Sequence, residues 1–151
     1  MSEAVIFTGA QASGKSTYYI DRYFRTHVRI SLDLLRTRRR EQKLLDYCLN
    51  TEMAFVIDNT NLTIKDRRRY INQISLMPQY EFTGCYFQSK IEPCLSRNSS
   101  RSEAESVPDI GVRNTHAKLE MPSIDEGFTR LWYISIARAG GFIVEPWSDE
   151  I

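Results

Sequence analysis

The chain has 151 residues, 42% of them hydrophobic, and sets 20 Lys and Arg against 19 Asp and Glu for a formal charge of +1. That balance excludes capture of a polyanion by the field of the whole molecule and leaves the task to a local patch of arginines. Three cysteines (Cys48, Cys85, Cys94) without C-x-x-C spacing argue against a disulfide framework or zinc site, and no apolar run approaches a membrane span of ~20 residues. The N-terminus lacks the basic region of a signal peptide, so the expected setting is cytoplasmic.

Apolar periodicity alternates between short strand-like runs and longer helical stretches, the pattern of βαβ units and a parallel sheet. It predicts strands over residues 4–8, 28–31, 55–58 and 81–88, and helices over 15–24, 40–53, 65–76, 93–100 and 109–118. Two more strand-like runs, 129–136 and 141–145, read as a terminal hairpin turning at Ala139, Gly140 and Gly141. The serine-rich stretch 99–108 has no apolar face and reads as a mobile loop. With no repeat and no composition break, residues 1–151 are expected to form a single α/β domain, a mainly parallel sheet flanked by helices.

Directly after the first strand stands GAQASGKST, residues 9–17, a complete G-x-x-x-x-G-K-S/T loop. A buried strand ending in such a loop and continuing as a helix aims backbone N–H groups and the positive end of the helix dipole at one point, where a polyphosphate fits. Gly9, Ala10, Gln11, Ala12, Ser13, Gly14, Lys15, Ser16 and Thr17 are therefore candidate nucleotide contacts. Lys15 offers a point charge for the β- and γ-phosphates, and Ser16 a hydroxyl ligand for Mg²⁺.

In open α/β sheets ligands sit at the carboxyl ends of the strands. Asp33 follows the second predicted strand, where it either accepts the proton of an attacking hydroxyl or N-caps the helix of Leu34, Leu35 and Arg36. Position is the demanding part, because in a loose phosphoryl-transfer transition state the nucleophile keeps its proton until late. Arg36, one helical turn on, is either an anion clamp beside that base or the start of the solvated run Arg36, Arg38, Arg39, Arg40, Lys43. Asp58 ends the third strand and either holds a Mg²⁺ water or orients an arginine. Arg97 and Arg101 lead into the polar loop, as lid residues or as exposed neighbours four residues apart. His27 and His116 are given no role, and Tyr18, Tyr19, Tyr23 and Phe24 are read as packing against the sheet.

In order, GAQASGKST, SLDLLR (31–36), VIDNTNL (56–62), SRNSSR (96–101) with Val107 and Pro108, and more weakly PSIDEGF (122–128) resemble the 5′-kinase domain of the polynucleotide kinase family. The resemblance covers nearly the whole length and implies a P-loop kinase fold with a lid near 97–110. It implies ATP as donor, Mg²⁺ as cofactor and a nucleic acid with a 5′-hydroxyl end as acceptor. Lys15 and Ser16 would bind phosphate and Mg²⁺, Asp33 would be the general base, Arg36 would hold the phosphate next to the attacked nucleoside, Asp58 would support the site, and Arg97 and Arg101 would reach the donor. Family members are often fused to a phosphatase or ligase; no such motif is visible here, and a stand-alone kinase is expected. The chain departs from its relatives at Ile30, Ser31 and Leu32, where they tend to place a polar residue just before the catalytic aspartate. Two other readings remain open from the residues: a P-loop kinase of a nucleoside, sugar or antibiotic, and a non-catalytic module using Arg36 to Lys43 and Arg67 to Arg69 as a basic patch.

Overall fold

The computed structural model describes residues 1–102 and 106–148. Six strands, β1 (Ser2–Thr8), β2 (Val28–Ile30), β3 (Phe55–Ile57), β4 (Tyr80–Phe87), β5 (Arg130–Ile136) and β6 (Phe142–Pro146), form one sheet. Its order is β2-β3-β1-β4-β5-β6, parallel from β2 through β5, with β6 antiparallel to β5. The helices are α1 (Lys15–Arg22), α2 (Leu32–Leu35), α3 (Arg38–Thr51), α4 (Ile64–Ile74), α5 (Ile91–Ser99) and α6 (Asp109–Lys118). The mainly parallel α/β architecture expected from the sequence is the one observed.

β1 is covered on both faces, as a central parallel strand must be. Ala4 and Ile6 join Ile30, Leu45, Phe55 and Tyr70 in one cluster, while Val5 and Phe7 join Tyr18, Tyr23, Cys85 and Phe87 in the other. Because β1 lies between β3 and β4 while the chain leaves it through α1 to reach β2, the sheet's order reverses at the carboxyl end of β1 and a crevice opens there. All three cysteines are buried and free, and no helix among the described residues is long and apolar enough to cross a membrane.

The structure corrects several local expectations. α3 starts at Arg38, earlier than the predicted 40, because the Thr37 hydroxyl accepts a hydrogen bond from the Arg40 N–H at 3.2 Å. Ser31, and not Asp33, is the N-cap residue of α2, so Asp33 occupies the first helical turn and the capping alternative falls. Phe24 is 67% exposed and is no packing residue, whereas Tyr18, Tyr19 and Tyr23 are buried as expected. His27, without a partner recognisable from sequence, pairs with Glu3 at 2.8 Å. Of the loop expected over 99–108, residues 103–105 lie outside the described residues. The two sides of that loop are tied: Asn98, 1% exposed, donates to the Val107 carbonyl at 2.5 Å and accepts from its N–H at 3.0 Å.

Arg67, a member of the basic patch in the non-catalytic alternative, is fully buried. Its Nε and Nη2 donate to the two Glu126 carboxylate oxygens at 2.8 and 3.2 Å, and its Nη1 donates to the Asn61 and Leu62 carbonyls at 2.9 and 3.2 Å. This fork anchors the loop after β3 to the turn at Ile124–Glu126. Removing one partner strands a buried charge, so Glu126→Ala should lower unfolding stability by about 3–5 kcal/mol, read by urea denaturation.

Candidate active site

Residues 9–14 turn sharply between β1 and α1. Gly14 has φ 98°, and a Cβ there would come within 2.9 Å of the Phe142 ring, so both conformation and the β5–β6 hairpin require glycine. Gly14 is also the N-cap residue of α1 and offers no side-chain cap, which leaves the first-turn N–H groups for a ligand. The loop is braced from outside by the Ser89 hydroxyl, which accepts from the Ala10 N–H at 2.9 Å, and the Thr60 carbonyl, which accepts from the Gly9 N–H at 3.0 Å, and from within by the Ser13 hydroxyl, which donates to the Ala10 carbonyl at 2.7 Å.

Lys15 Nζ donates to the Gly9 and Ala10 carbonyls at 2.9 and 2.8 Å. Burial pulls its ammonium down to about 8, opposed chiefly by the negative charge of Asp58, while Arg101 lowers it further and Asp33 raises it. Three predicted residues, Asp58, Asp33 and Arg101, thus act on the charge of a fourth, Lys15. Arg36 lies beyond the last turn of α2 as its C-cap, at φ 75° and ψ −32°, and is exposed. The expected helical register with Asp33 is thus not the observed one, and a non-glycine residue held at positive φ stores strain of about 1–3 kcal/mol.

Ser16 Oγ donates to Asp58 Oδ2 at 3.3 Å, and Asp58 is held by Arg29, whose Nε donates to the same oxygen at 2.8 Å. Both sequence alternatives for Asp58 thus remain compatible: it orients an arginine, and it stands beside the hydroxyl expected to bind Mg²⁺. One hydroxyl and one carboxylate are hard oxygen donors of the kind Mg²⁺ takes alongside substrate phosphates, so this pair fits such an ion.

Arg97 Nε donates to the Ala12 carbonyl at 2.6 Å, which makes it a brace for the loop tip. The Arg101 side chain has no hydrogen bond or ion pair among the described residues, so of the two guanidinium groups it is the one available to a ligand. The lid expected near 97–110 includes 103–105, outside the described residues.

The wall that carries Asp33 is set by polar contacts with no signature in local spacing. Asn59 Oδ1 accepts from the Leu32 N–H at 2.9 Å, and Asn59 Nδ2 donates to Glu41 Oε2 at 2.9 Å. The Tyr70 hydroxyl donates to Glu41 at 3.0 Å, and Arg38 donates to both Glu41 and Tyr70 at 2.9 Å. Burial, seconded by the Glu41 charge, pushes the Tyr70 phenol up to about 12, so it remains a donor. Arg38 is engaged by these bonds although its side chain is 49% exposed, and Arg39, Arg40 and Lys43, with Thr37, line one shallow depression. Sequence reasoning missed Arg29, Glu41 and Tyr70; an arginine within a strand and a glutamate on an apolar helical face were the available signals. The Ser31 and Gln11 side-chain oxygens, at the two sides of the crevice, are buried without partners among the described residues.

Comparison with known proteins agrees with this picture. The chain is 29% identical over 133 residues to the bifunctional polynucleotide phosphatase/kinase of Schizosaccharomyces pombe, a match covering 85% of this chain and 32% of that protein. The chain thus spans about a third of its relative's length, and the resemblance read from the motif blocks is found again in a whole-sequence match. Among solved structures it is similar to a gluconokinase from Sinorhizobium meliloti (TM-score 0.59, 15% identity, 90% of this chain and 83% of that one). It is also similar to a sugar kinase from Janibacter sp. (TM-score 0.62, 16% identity, 88% and 86%). These likenesses establish the P-loop kinase fold. No protein-family model matches the chain.

A polyphosphate favours the Lys15 ammonium, so the complex holds its proton to higher pH than the free protein, and binding above pH 8 takes up a proton. Affinity for ADP should therefore weaken by about tenfold between pH 7 and pH 9, in calorimetric titrations, and Lys15→Met should bind weakly with no such pH dependence.

Proposed function

We propose that the chain is an ATP-dependent kinase of 5′-hydroxyl ends of DNA or RNA. The observation that carries this reading is Asp33. Its carboxylate has no hydrogen bond or ion pair among the described residues, yet its charge acts on Lys15 across the crevice. An exposed carboxylate without an internal partner, on the turn after β2, is what a hydroxyl acceptor needs. Arg36, three residues on and exposed, supplies a guanidinium on the same rim for a phosphate adjoining that hydroxyl. Similarity to a protein named for polynucleotide kinase activity favours a nucleic acid as the acceptor.

In this reading the loop amides and Lys15 hold the β- and γ-phosphates. The acceptor oxygen attacks the γ-phosphorus, the bond from that phosphorus to the ADP oxygen breaks, and the hydroxyl proton passes to Asp33. Arg101 neutralises charge on the transferring group. Ser16 and Asp58 are the residues that would hold Mg²⁺, which supplies further positive charge at the phosphate oxygens.

A small-molecule acceptor is the second reading, favoured by fold likeness to a gluconokinase and a sugar kinase. It needs Lys15, Ser16 and Asp33 but no clamp at Arg36. The non-catalytic module is less well supported, because Arg38 and Arg67, two members of its basic patch, are committed to internal pairs.

With labelled ATP, Mg²⁺ and a panel of 5′-hydroxyl DNA, RNA, nucleosides and sugars, label should appear on polynucleotide ends. Label confined to sugars or nucleosides assigns the second reading, and nucleic-acid binding without transfer assigns the third. Asp33→Asn should slow transfer by about 10²–10⁴-fold with little change in ADP affinity. Arg36→Ala should impair a 3′-phosphorylated nucleoside far more than the plain nucleoside, and equal losses on both would reject the clamp.

A further inference from the structure

Arg29 is the one charged side chain in direct contact with both oxygens assigned above to the divalent ion. Its Nε donates to Asp58 Oδ2 at 2.8 Å, and its Nη2 donates to Ser16 Oγ at 3.1 Å. The Ser16 hydroxyl in turn donates to Asp58 at 3.3 Å, closing a triangle of guanidinium, hydroxyl and carboxylate. We propose that Arg29 is a resident cation at this position, holding Ser16 and Asp58 while no divalent ion is bound and leaving them when one arrives. The proposal rests on reading Ser16 and Asp58 as the ion's ligands and makes ion binding an exchange of one cation for another.

Three observations carry it. The Asp58 side chain is 2% exposed, and a carboxylate so far from water needs a counter-charge at all times; among the described residues Arg29 is its ion-pair partner. Arg29 holds Asp58 Oδ2 and the Ser16 hydroxyl together, so an ion drawing on that oxygen and that hydroxyl takes over atoms the guanidinium now occupies. Finally, Arg29 has somewhere to go. Its side chain is 29% exposed, so water is open to it, and even while it holds Ser16 and Asp58 its guanidinium carbon lies 6.0 Å from the centre of the Tyr19 ring, a contact that does not depend on either oxygen. The backbone need not follow, because Arg29 is held in parallel register opposite Val56, and the Ile30 carbonyl accepts from the Asp58 N–H at 2.8 Å.

Mn²⁺ alone serves as the probe, its free form counted by electron paramagnetic resonance with the nucleotide-free protein. Arg29→Met should bind one Mn²⁺ at least about tenfold more tightly than the parent chain, and Arg29→Met combined with Asp58→Asn should lose that site. Equal affinities in the parent and Arg29→Met, or binding that survives the loss of Asp58, would overturn the proposal. Should Arg29→Met fail to fold, the Arg29 Nε–H resonance of the parent chain, assigned with Arg29→Lys, gives the answer. It should shift on adding Mg²⁺ to the ADP complex and stay in place with ADP and EDTA; a resonance identical in the two conditions rejects the exchange. Neither measurement involves an acceptor, so failure here leaves the acceptor reading intact, and failure to phosphorylate polynucleotides leaves this one intact.

Discussion

The ammonium of Lys15 sits at the mouth of a strand buried on both faces, and the site is organised around keeping that charge where water is scarce. Two carbonyls hold it in the absence of ligand, and nearby carboxylates, Asp58 foremost, offset the burial that would otherwise neutralise it. Neither partner is as good as a polyphosphate, which brings full negative charges to the same point. The free protein thus holds a cation that is tolerated but not fully satisfied, a condition that favours a ligand over solvent.

The other rims are rigid for a related reason. Each strand-end loop carries polar groups that the fold withdraws from water, and each is completed by side chains from distant elements. Asn59, Glu41, Tyr70 and Arg38 complete the turn that presents Asp33; Arg67 and Glu126 complete the loop after β3; Asn98 joins the two sides of the polar loop after α5. Buried polar networks of this kind are costly when half-made and specific when complete, so they fix a geometry that apolar packing alone would leave loose. The position of Asp33 is therefore set by a network whose members bond to one another and to the backbone of its turn.

This division explains how much the sequence disclosed. The alternation of Ala4 and Ile6 with Val5 and Phe7, the glycines of the loop and the carboxylates that end β2 and β3 are local features, and local periodicity reads them well. Strands, helices and the positions of Lys15, Asp33 and Asp58 were legible for that reason. What escaped is non-local. Arg29 is 29 residues from Asp58, Tyr70 is 29 from Glu41, and Arg67 is 59 from Glu126, and no spacing rule links such pairs. A cluster of basic residues is usually solvated, and only the fold shows that Arg67 turns inward while Arg38 stays half-exposed. Arg36 was placed correctly on the rim but in the wrong conformation, since α2 stops one residue short of it.

Strain follows the same map. Of the four non-glycine residues at positive φ, Ala12, Arg36 and Asn61 lie in the loops that follow β1, β2 and β3, and Glu52 ends α3 away from the crevice. At two of the three rim positions a neighbouring bond accounts for the conformation: Ala12 has its carbonyl held by Arg97, and Asn61 donates to the Phe7 carbonyl at 2.8 Å while its own carbonyl accepts from Arg67. Arg36 has only the single backbone bond from its N–H to the Leu32 carbonyl, at 2.8 Å, and its side chain is free among the described residues. The donor side of the crevice is thus strained and braced, and the acceptor side strained and open. Under the proposed function, a bound anion at Arg36 would supply the restraint that the fold does not, so strain at that residue would be offset by the ligand and not by the protein.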